Sequence, residues 1–170
     1  MAIIRRDPMR APIVVAAFLF GLGPAHALAA CEAPPYHQFD FWIGSWRVTD
    51  AHGKLRGHDF VSRRLQGCAI YEEYHDANDP SVGIGMTTYD AGRRRWHQDF
   101  MDDTGFFLML DGSFHNGAMT LEGTDYPNGK PQLNRGTWTR RGDVVEELWQ
   151  VSVDGGKTWR TKFDGFFHRL

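Results

Sequence analysis

The sequence predicts an all-β domain in which about ten antiparallel strands run up and down and close into a barrel. Apolar and polar residues alternate with a period of two in almost every segment after Trp46. Turn-forming residues interrupt this alternation about every ten residues, as expected for strands joined by hairpins. The aromatic-rich stretch 39–48 enters the first strand through Gly44-Ser45-Trp46, and a large ring there can close the bottom of a small barrel.

The strands are expected in an unbroken series with short connections. Asn116-Gly117 is the strongest hairpin signal, because both residue types tolerate the positive φ angles of a tight turn. One longer polar loop is expected at 125–131, and no segment predicts a helix of three turns. Closure removes the exposed edges of a sheet, and short loops favour a meander over a Greek-key sandwich. The predicted strands are 45–50, 56–66, 68–75, 82–89, 94–101, 106–114, 118–124, 132–140, 144–153 and 157–169.

Residues 1–30 are typical of a secretory signal peptide. Arg5, Arg6 and Arg10 form a basic start, an apolar run covers 11–22, and small residues lead to Cys31. The run is too short to span a membrane as a helix. We therefore expect a single domain over 31–170 that is exported to the periplasm or secreted.

The charge balance argues against a nucleic-acid partner. The chain has 19 Lys and Arg against 21 Asp and Glu, and removal of residues 1–30 leaves 16 basic and 20 acidic side chains. Such a mildly acidic, mixed surface favours solubility and lacks the basic patch that binds phosphates.

The two cysteines allow two interpretations. Leu28-Ala29-Ala30-Cys31 resembles a lipoprotein cleavage box, in which Cys31 would carry a lipid anchor. Alternatively, Cys31 and Cys68 form a disulfide, which an oxidising compartment permits. A count of two cysteines in an exported chain favours the disulfide.

The segment 152–159 carries the pattern Ser-x-Asp-x-Gly-x-Thr-Trp, which matches the Asp-box hairpin of sialidase propellers. A single copy in a domain too small for a propeller predicts a well-formed hairpin and no sialidase activity.

Several motifs in order resemble a bacterial family of secreted domains of unknown function, grouped with the calycin-like barrels. They are Phe39-Asp40-Phe41-Trp42-Ile43-Gly44-Ser45-Trp46, Gly67-Cys68, Arg95-Trp96-His97-Gln98, Arg135-x-Thr137-Trp138 and the segment 152–159. The resemblance covers nearly all of residues 36–170. It implies a barrel like those of lipocalins, fatty-acid-binding proteins and nitrobindins, and it assigns no reaction. The cysteine positions fit the family's usual pattern, which adds weight to the disulfide.

A barrel of this size either fills with side chains or keeps a cavity for one small ligand. Alternation places two large rings of the fifth strand on one face, and we expect that face to be inside. The predicted ligand-binding residues are Trp96, Gln98, Phe100, Arg135, Glu147 and Trp149, with Phe163 and Phe167 nearby. In the filled alternative, Arg135 and Glu147 would pair across strands and satisfy each other.

Acidic and histidine residues give no strong catalytic or metal motif. Glu72 and Glu73 are adjacent, so they point to opposite faces and cannot flank one glycosidic bond. His97 and Asp99 share a face, where a surface ion-pair ladder with Arg95 is favoured over a general base. No histidine spacing matches a zinc site, and no metal is expected.

We therefore expect an exported barrel that binds a small apolar or aromatic molecule, and no cofactor. The alternatives are an isomerase or lyase that uses a buried acid such as Glu147 or Glu72, and a filled structural barrel. Haem binding through His168 is a weaker hypothesis, because the alternation of the last strand places His168 on the outer face. The catalytic residues, the ligand's identity and the oligomeric state are not predicted by the sequence.

Overall fold

The structure, a computed structural model, describes residues 31–170. The predicted signal peptide lies outside the described residues. Ten antiparallel strands form a closed barrel in which each strand pairs with its neighbours in sequence, and β1 pairs with β10. The strands are β1 Gly44–Thr49, β2 Leu55–Arg64, β3 Ala69–Asp76, β4 Val82–Asp90, β5 Arg95–Asp102, β6 Phe107–His115, β7 Ala118–Asp125, β8 Gln132–Arg141, β9 Val144–Ser152 and β10 Arg160–Arg169. This confirms the all-β, up-and-down barrel predicted from the sequence.

Strand ends differ from the prediction by a few residues, for local reasons. The second strand ends at Arg64 because Leu65 and Gln66 have φ angles of 51° and 55°, which break an extended chain. The last strand begins at Arg160, after the Ser152-to-Trp159 hairpin. In that hairpin the Asp154 carboxylate accepts hydrogen bonds from the amides of Lys157 and Thr158, so they are not free for a strand ladder. The motif makes the expected hairpin.

Short 3₁₀ turns supply the rest of the regular structure in the described chain: Pro34–His37, Asp40–Trp42, Leu65–Gly67 and Pro127–Gly129. The first two precede β1 and bring a fully buried pair of rings, Phe39 and Trp42, to the end of the barrel where β1 begins. We call this end the floor. The opposite end, where β3 finishes and β4 begins, we call the mouth.

A disulfide joins Cys31 to Cys68. It ties the start of the described chain to the connection between β2 and β3, at the floor. The disulfide interpretation of the two cysteines is therefore confirmed, and the bond indicates an oxidising, extracytoplasmic location. Within residues 31–170, no helix has the length and apolar character needed to cross a membrane.

Candidate functional site

The floor is a dense aromatic cluster. Phe39 stacks on Trp42 with ring centroids 4.8 Å apart and meets Trp96 and Trp138 edge-on at 5.9 and 5.4 Å. The Trp46 indole donates to the Trp42 carbonyl at 2.8 Å, and the Trp96 indole donates to Gln38 Oε1 at 3.1 Å. These contacts close one end of the barrel, as the aromatic entry motif predicted.

Above the floor the interior holds a cavity of about 290 Å³. Its walls combine large rings and leucines with a few polar groups, a composition typical of small-molecule sites. The apolar lining consists of Phe100, Leu108, Leu110, Trp138, Trp149, Phe163 and Phe167. The polar lining consists of Glu72, Tyr74, Asp76, Ser81, Gln98, Asp102, Glu147 and Lys162.

Glycines on the inner faces make room for these side chains. A Cβ atom at Gly85 would lie 2.3 Å from Glu72 Oε2, and one at Gly83 would lie 2.5 Å from the Phe100 ring. Gly136 likewise leaves space for the Trp138 ring, which a Cβ would approach to 2.6 Å. The small residues thus let acids and rings lie flat against the wall.

Two acids face the cavity from different strands, the buried Glu72 and the half-buried Glu147. Glu72 on β3 is 6% exposed and accepts a hydrogen bond from Gln98 Nε2 at 3.3 Å. Burial, together with the negative charges of Asp59 and Glu147, raises the pKa of Glu72 well above its usual value. The side chains of Glu72 and Glu147 both point into the barrel, because each residue lies on the strand face that lines the interior.

Glu147 lies directly opposite Trp138 across the β8–β9 pair. Burial raises its pKa to about 7, against a lowering effect of the Trp138 indole. The indole N–H does not meet full hydrogen-bond geometry with any acceptor. It nevertheless lies near enough to the carboxyl group to favour its ionised form. A carboxyl group that titrates near neutral pH inside a cavity is a feature of functional sites.

Asp59 on β2 lies next to these acids and is completely buried. Burial and the charge of Glu147 raise its pKa well above the usual range, against a lowering effect of the Phe60 amide. Neither carboxyl oxygen has a hydrogen-bond partner of good geometry. Among the described residues, none of the ion pairs involves Asp59, Glu72 or Glu147.

The mouth is polar and partly open. Trp149 is held there by a hydrogen bond from its indole to Asn134 Oδ1 at 2.9 Å. Lys162 places its ammonium 5.3 Å from the centre of the Trp149 ring. Asp76, Ser81 and Asp102 belong to the same rim.

Four of the predicted ligand-binding residues line the cavity: Gln98, Phe100, Glu147 and Trp149. Trp96 also faces inward, but it is packed in the floor against Phe39 and Tyr89. Whether any of these residues binds a ligand stays a prediction.

The expectation that Arg135 faces the interior is wrong. The inward residues of β8 are its buried positions, which include Asn134, Gly136 and Trp138. Arg135 therefore has the opposite orientation, and it donates to Glu122 Oε1 at 2.5 Å and lies 3.9 Å from the centre of the Trp159 ring. The proposed Arg135–Glu147 pair is accordingly not formed. The large Trp138 ring in the same strand was the signal that could have set its inner face.

Sequence reasoning missed Asp59 and Lys162. Asp59 alternates with Gly57 and Val61, which are buried with it on the inner face of β2. The sequence places an acid between a glycine and a valine there, but alternation alone does not identify the face. Lys162 lies beside a register shift in the β9–β10 pairing, so regular alternation does not predict its place at the mouth.

The remaining candidates lie outside the cavity. Glu73 faces outward and accepts hydrogen bonds from Tyr71 and His75, so the adjacent glutamates do point to opposite faces. His97 bridges Asp99 and Asp111 in a surface ion-pair ladder. His168 is exposed and contacts Thr49 at 3.2 Å, so it does not face the interior, where the haem hypothesis needs an axial ligand. In the described part of the chain, no group of three His, Cys, Asp or Glu side chains is arranged to hold a metal ion.

In comparisons with known proteins, the chain matches no protein-family model and no curated sequence.

Proposed function

We propose that this protein is an exported, calycin-like barrel that binds a small apolar or aromatic molecule between the floor and the mouth. The observation that carries the proposal is the cavity of about 290 Å³, with apolar walls and buried polar groups at its inner end. Its volume suits one small ligand. The rings of Phe100, Trp149 and Phe163 would contact the ligand body, and Glu72, Gln98 and Glu147 would orient its polar group.

Two features support an exported protein. The first thirty residues have the order of a secretory signal, and the Cys31–Cys68 disulfide is stable in an oxidising compartment. We place the protein in the periplasm or outside the cell.

A neutral fluorescent probe tests the binding proposal. N-phenyl-1-naphthylamine should become brighter on entering the cavity. Ser81→Trp would place a large ring on the rim, and Asn78→Trp adds the same ring to an exposed position of the same loop. We expect the probe to bind the native protein and Asn78→Trp equally. Ser81→Trp should bind it at least about tenfold more weakly, a difference of ~1.4 kcal/mol, because the added ring occupies space at the mouth.

No enhancement with the native protein would overturn the proposal in favour of a structural barrel. Equal binding by both variants would show that the probe binds elsewhere on the surface. Near-ultraviolet circular dichroism of each variant establishes that the barrel is folded.

A second candidate function, an isomerase or lyase, is favoured by the titration of Glu147 near neutral pH. Such a group can both accept and donate a proton at the pH of the cell. The test is incubation of the native protein and Glu147→Gln with small-molecule extract from the protein's own host. A compound consumed by the native protein and untouched by Glu147→Gln would support an enzyme, and identical extracts would oppose it.

A further inference from the structure

The charged groups of the cavity are unbalanced. Glu72, Glu147, Asp76 and Asp102 line it, and Lys162 is the one basic side chain among the lining residues that the structure describes. Lys162 is exposed at the rim, whereas Glu72 is buried and Glu147 is half-buried on the cavity wall. Asp59, which is completely buried, adds a third acid near enough to interact with both. Among the described residues that line the cavity, the inner end therefore carries acidic groups and no basic side chain.

Neutral hydrogen-bond donors lie beside two of these acids. Gln98 presents its amide N–H to Glu72, and the Trp138 indole N–H lies beside Glu147. A hydrogen-bond donor favours a carboxylate over a carboxylic acid, but it does not cancel the negative charge. The Trp138 N–H is itself buried on the cavity wall without a completed hydrogen bond. The wall thus has donor and acceptor capacity that the protein's own side chains leave unused.

The rings provide a second feature that favours positive charge. The face of an aromatic ring attracts a cation, most strongly for tryptophan. Lys162 already lies over the Trp149 ring at the mouth. Trp138 and Phe163 offer further rings on the cavity wall.

We propose that the ligand is an amine in its ammonium form, carried on a small aromatic or apolar body. This inference rests on the proposed binding function and specifies its ligand class. The ammonium group lies against Glu147 and Glu72, and the apolar body lies against Phe100, Trp149 and Phe163. Anionic ligands such as fatty acids are disfavoured, because no basic side chain among the described residues at the inner end would balance an added carboxylate in a low-dielectric interior.

Three probes that share one ring test the ligand class by calorimetric titration of the whole exported protein. They are 2-phenylethylamine, which is a cation, 2-phenylethanol, which is neutral, and phenylacetate, which is an anion. We expect the amine to bind at least about tenfold more tightly than the alcohol, since a hydrogen bond to a charged group contributes roughly 1.5–3 kcal/mol. Phenylacetate should bind more weakly than both.

Glutamine variants locate the preference. Glu147→Gln should reduce the amine-to-alcohol affinity ratio at least about fivefold, because it removes the charge that the ammonium group meets. Glu146→Gln is the matched control, because Glu146 is the neighbouring acid on the outer face and pairs with Arg141. Glu72→Gln has an equivalent control in Glu73→Gln. A merely structural role for Glu147 would weaken both ligands equally and leave their ratio unchanged.

The outcomes separate this inference from the binding function. If N-phenyl-1-naphthylamine binds but 2-phenylethanol or phenylacetate binds as tightly as 2-phenylethylamine or more tightly, the ammonium proposal is overturned. The proposed binding function is then retained. If N-phenyl-1-naphthylamine binds and none of the three probes does, the ammonium proposal is overturned as well. If neither the dye nor any probe binds, the binding function itself fails.

Discussion

The floor and the cavity of this barrel are built from the same alternating strands, yet their interiors differ. At the floor, Phe39, Trp42 and Trp96 fill the space ring against ring. In the cavity, glycines stand where larger side chains would collide with the lining, and the rings share the wall with Glu72 and Glu147. Burial of rings stabilises a fold, whereas burial of unpaired acids opposes it. The contrast separates the part of the barrel that holds the fold from the part that we assign to function.

The largest expected effect comes from breaking the floor. Trp42→Ala removes a completely buried ring and should cost about 3–5 kcal/mol in the free energy of unfolding. Trp149→Ala, at the mouth, removes a half-buried ring and should cost less while reducing ligand affinity. Urea unfolding and dye binding of both variants check this. Equal destabilisation by the two changes would contradict the division between floor and cavity.

Loss of the disulfide should weaken the floor and leave the cavity intact. The bond closes a loop of 37 residues, for which about 2–4 kcal/mol is typical. We expect the double variant Cys31→Ser, Cys68→Ser to unfold at lower urea concentration and to bind the dye as the native protein does. Weaker dye binding by the folded variant would show that the two ends of the barrel are coupled.

Fold class and strand order were predictable, since alternation and turn residues are local signals. Gln98 and Glu147 could be assigned to the interior because large rings in their own strands mark the inner face. Arg135 was placed wrongly although the same rule applies to its strand, where the Trp138 ring marks the opposite face as the inner one. The buried environment of Asp59 arises from strands distant in sequence, so no local pattern reveals its raised pKa.

Removing the charge of Glu147 should stabilise the protein at alkaline pH. Its pKa is raised from 4.5 to about 7 on folding, so the folded state favours the protonated form. No penalty exists below pH 4.5. The penalty grows between about pH 4.5 and pH 7 and levels off above pH 7 at about 3 kcal/mol.

Glu147→Gln should therefore be more stable than the native protein at pH 8 and equal to it at pH 4. Urea unfolding at both pH values measures the difference. Glu146→Gln is the control and should show no such pH-dependent gain. A native protein as stable at pH 8 as at pH 5 would contradict the proposed burial of an unpaired acid.

The smallest expected effect concerns the hairpin between β9 and β10. The Asp154 carboxylate accepts hydrogen bonds from Thr158 and Lys157, which contribute to a pKa of about 2. The stability it contributes is present above its unfolded pKa near 3.8 and is lost as pH falls toward 2. Asp154→Ala should lower Tm at pH 7 slightly and leave dye binding unchanged. Asp143→Ala, in the opposite β8–β9 turn, is the control and should leave Tm at its native value.

The most direct test of the contrast between floor and cavity is the pKa of Glu147 in the native protein without added ligand. Carbon-13 NMR of the glutamate carboxyl groups would follow it, with Glu147→Gln to assign the resonance. We predict a midpoint near pH 7 for Glu147. A midpoint near 4.5 would contradict the claim that the cavity holds a buried, unpaired acid.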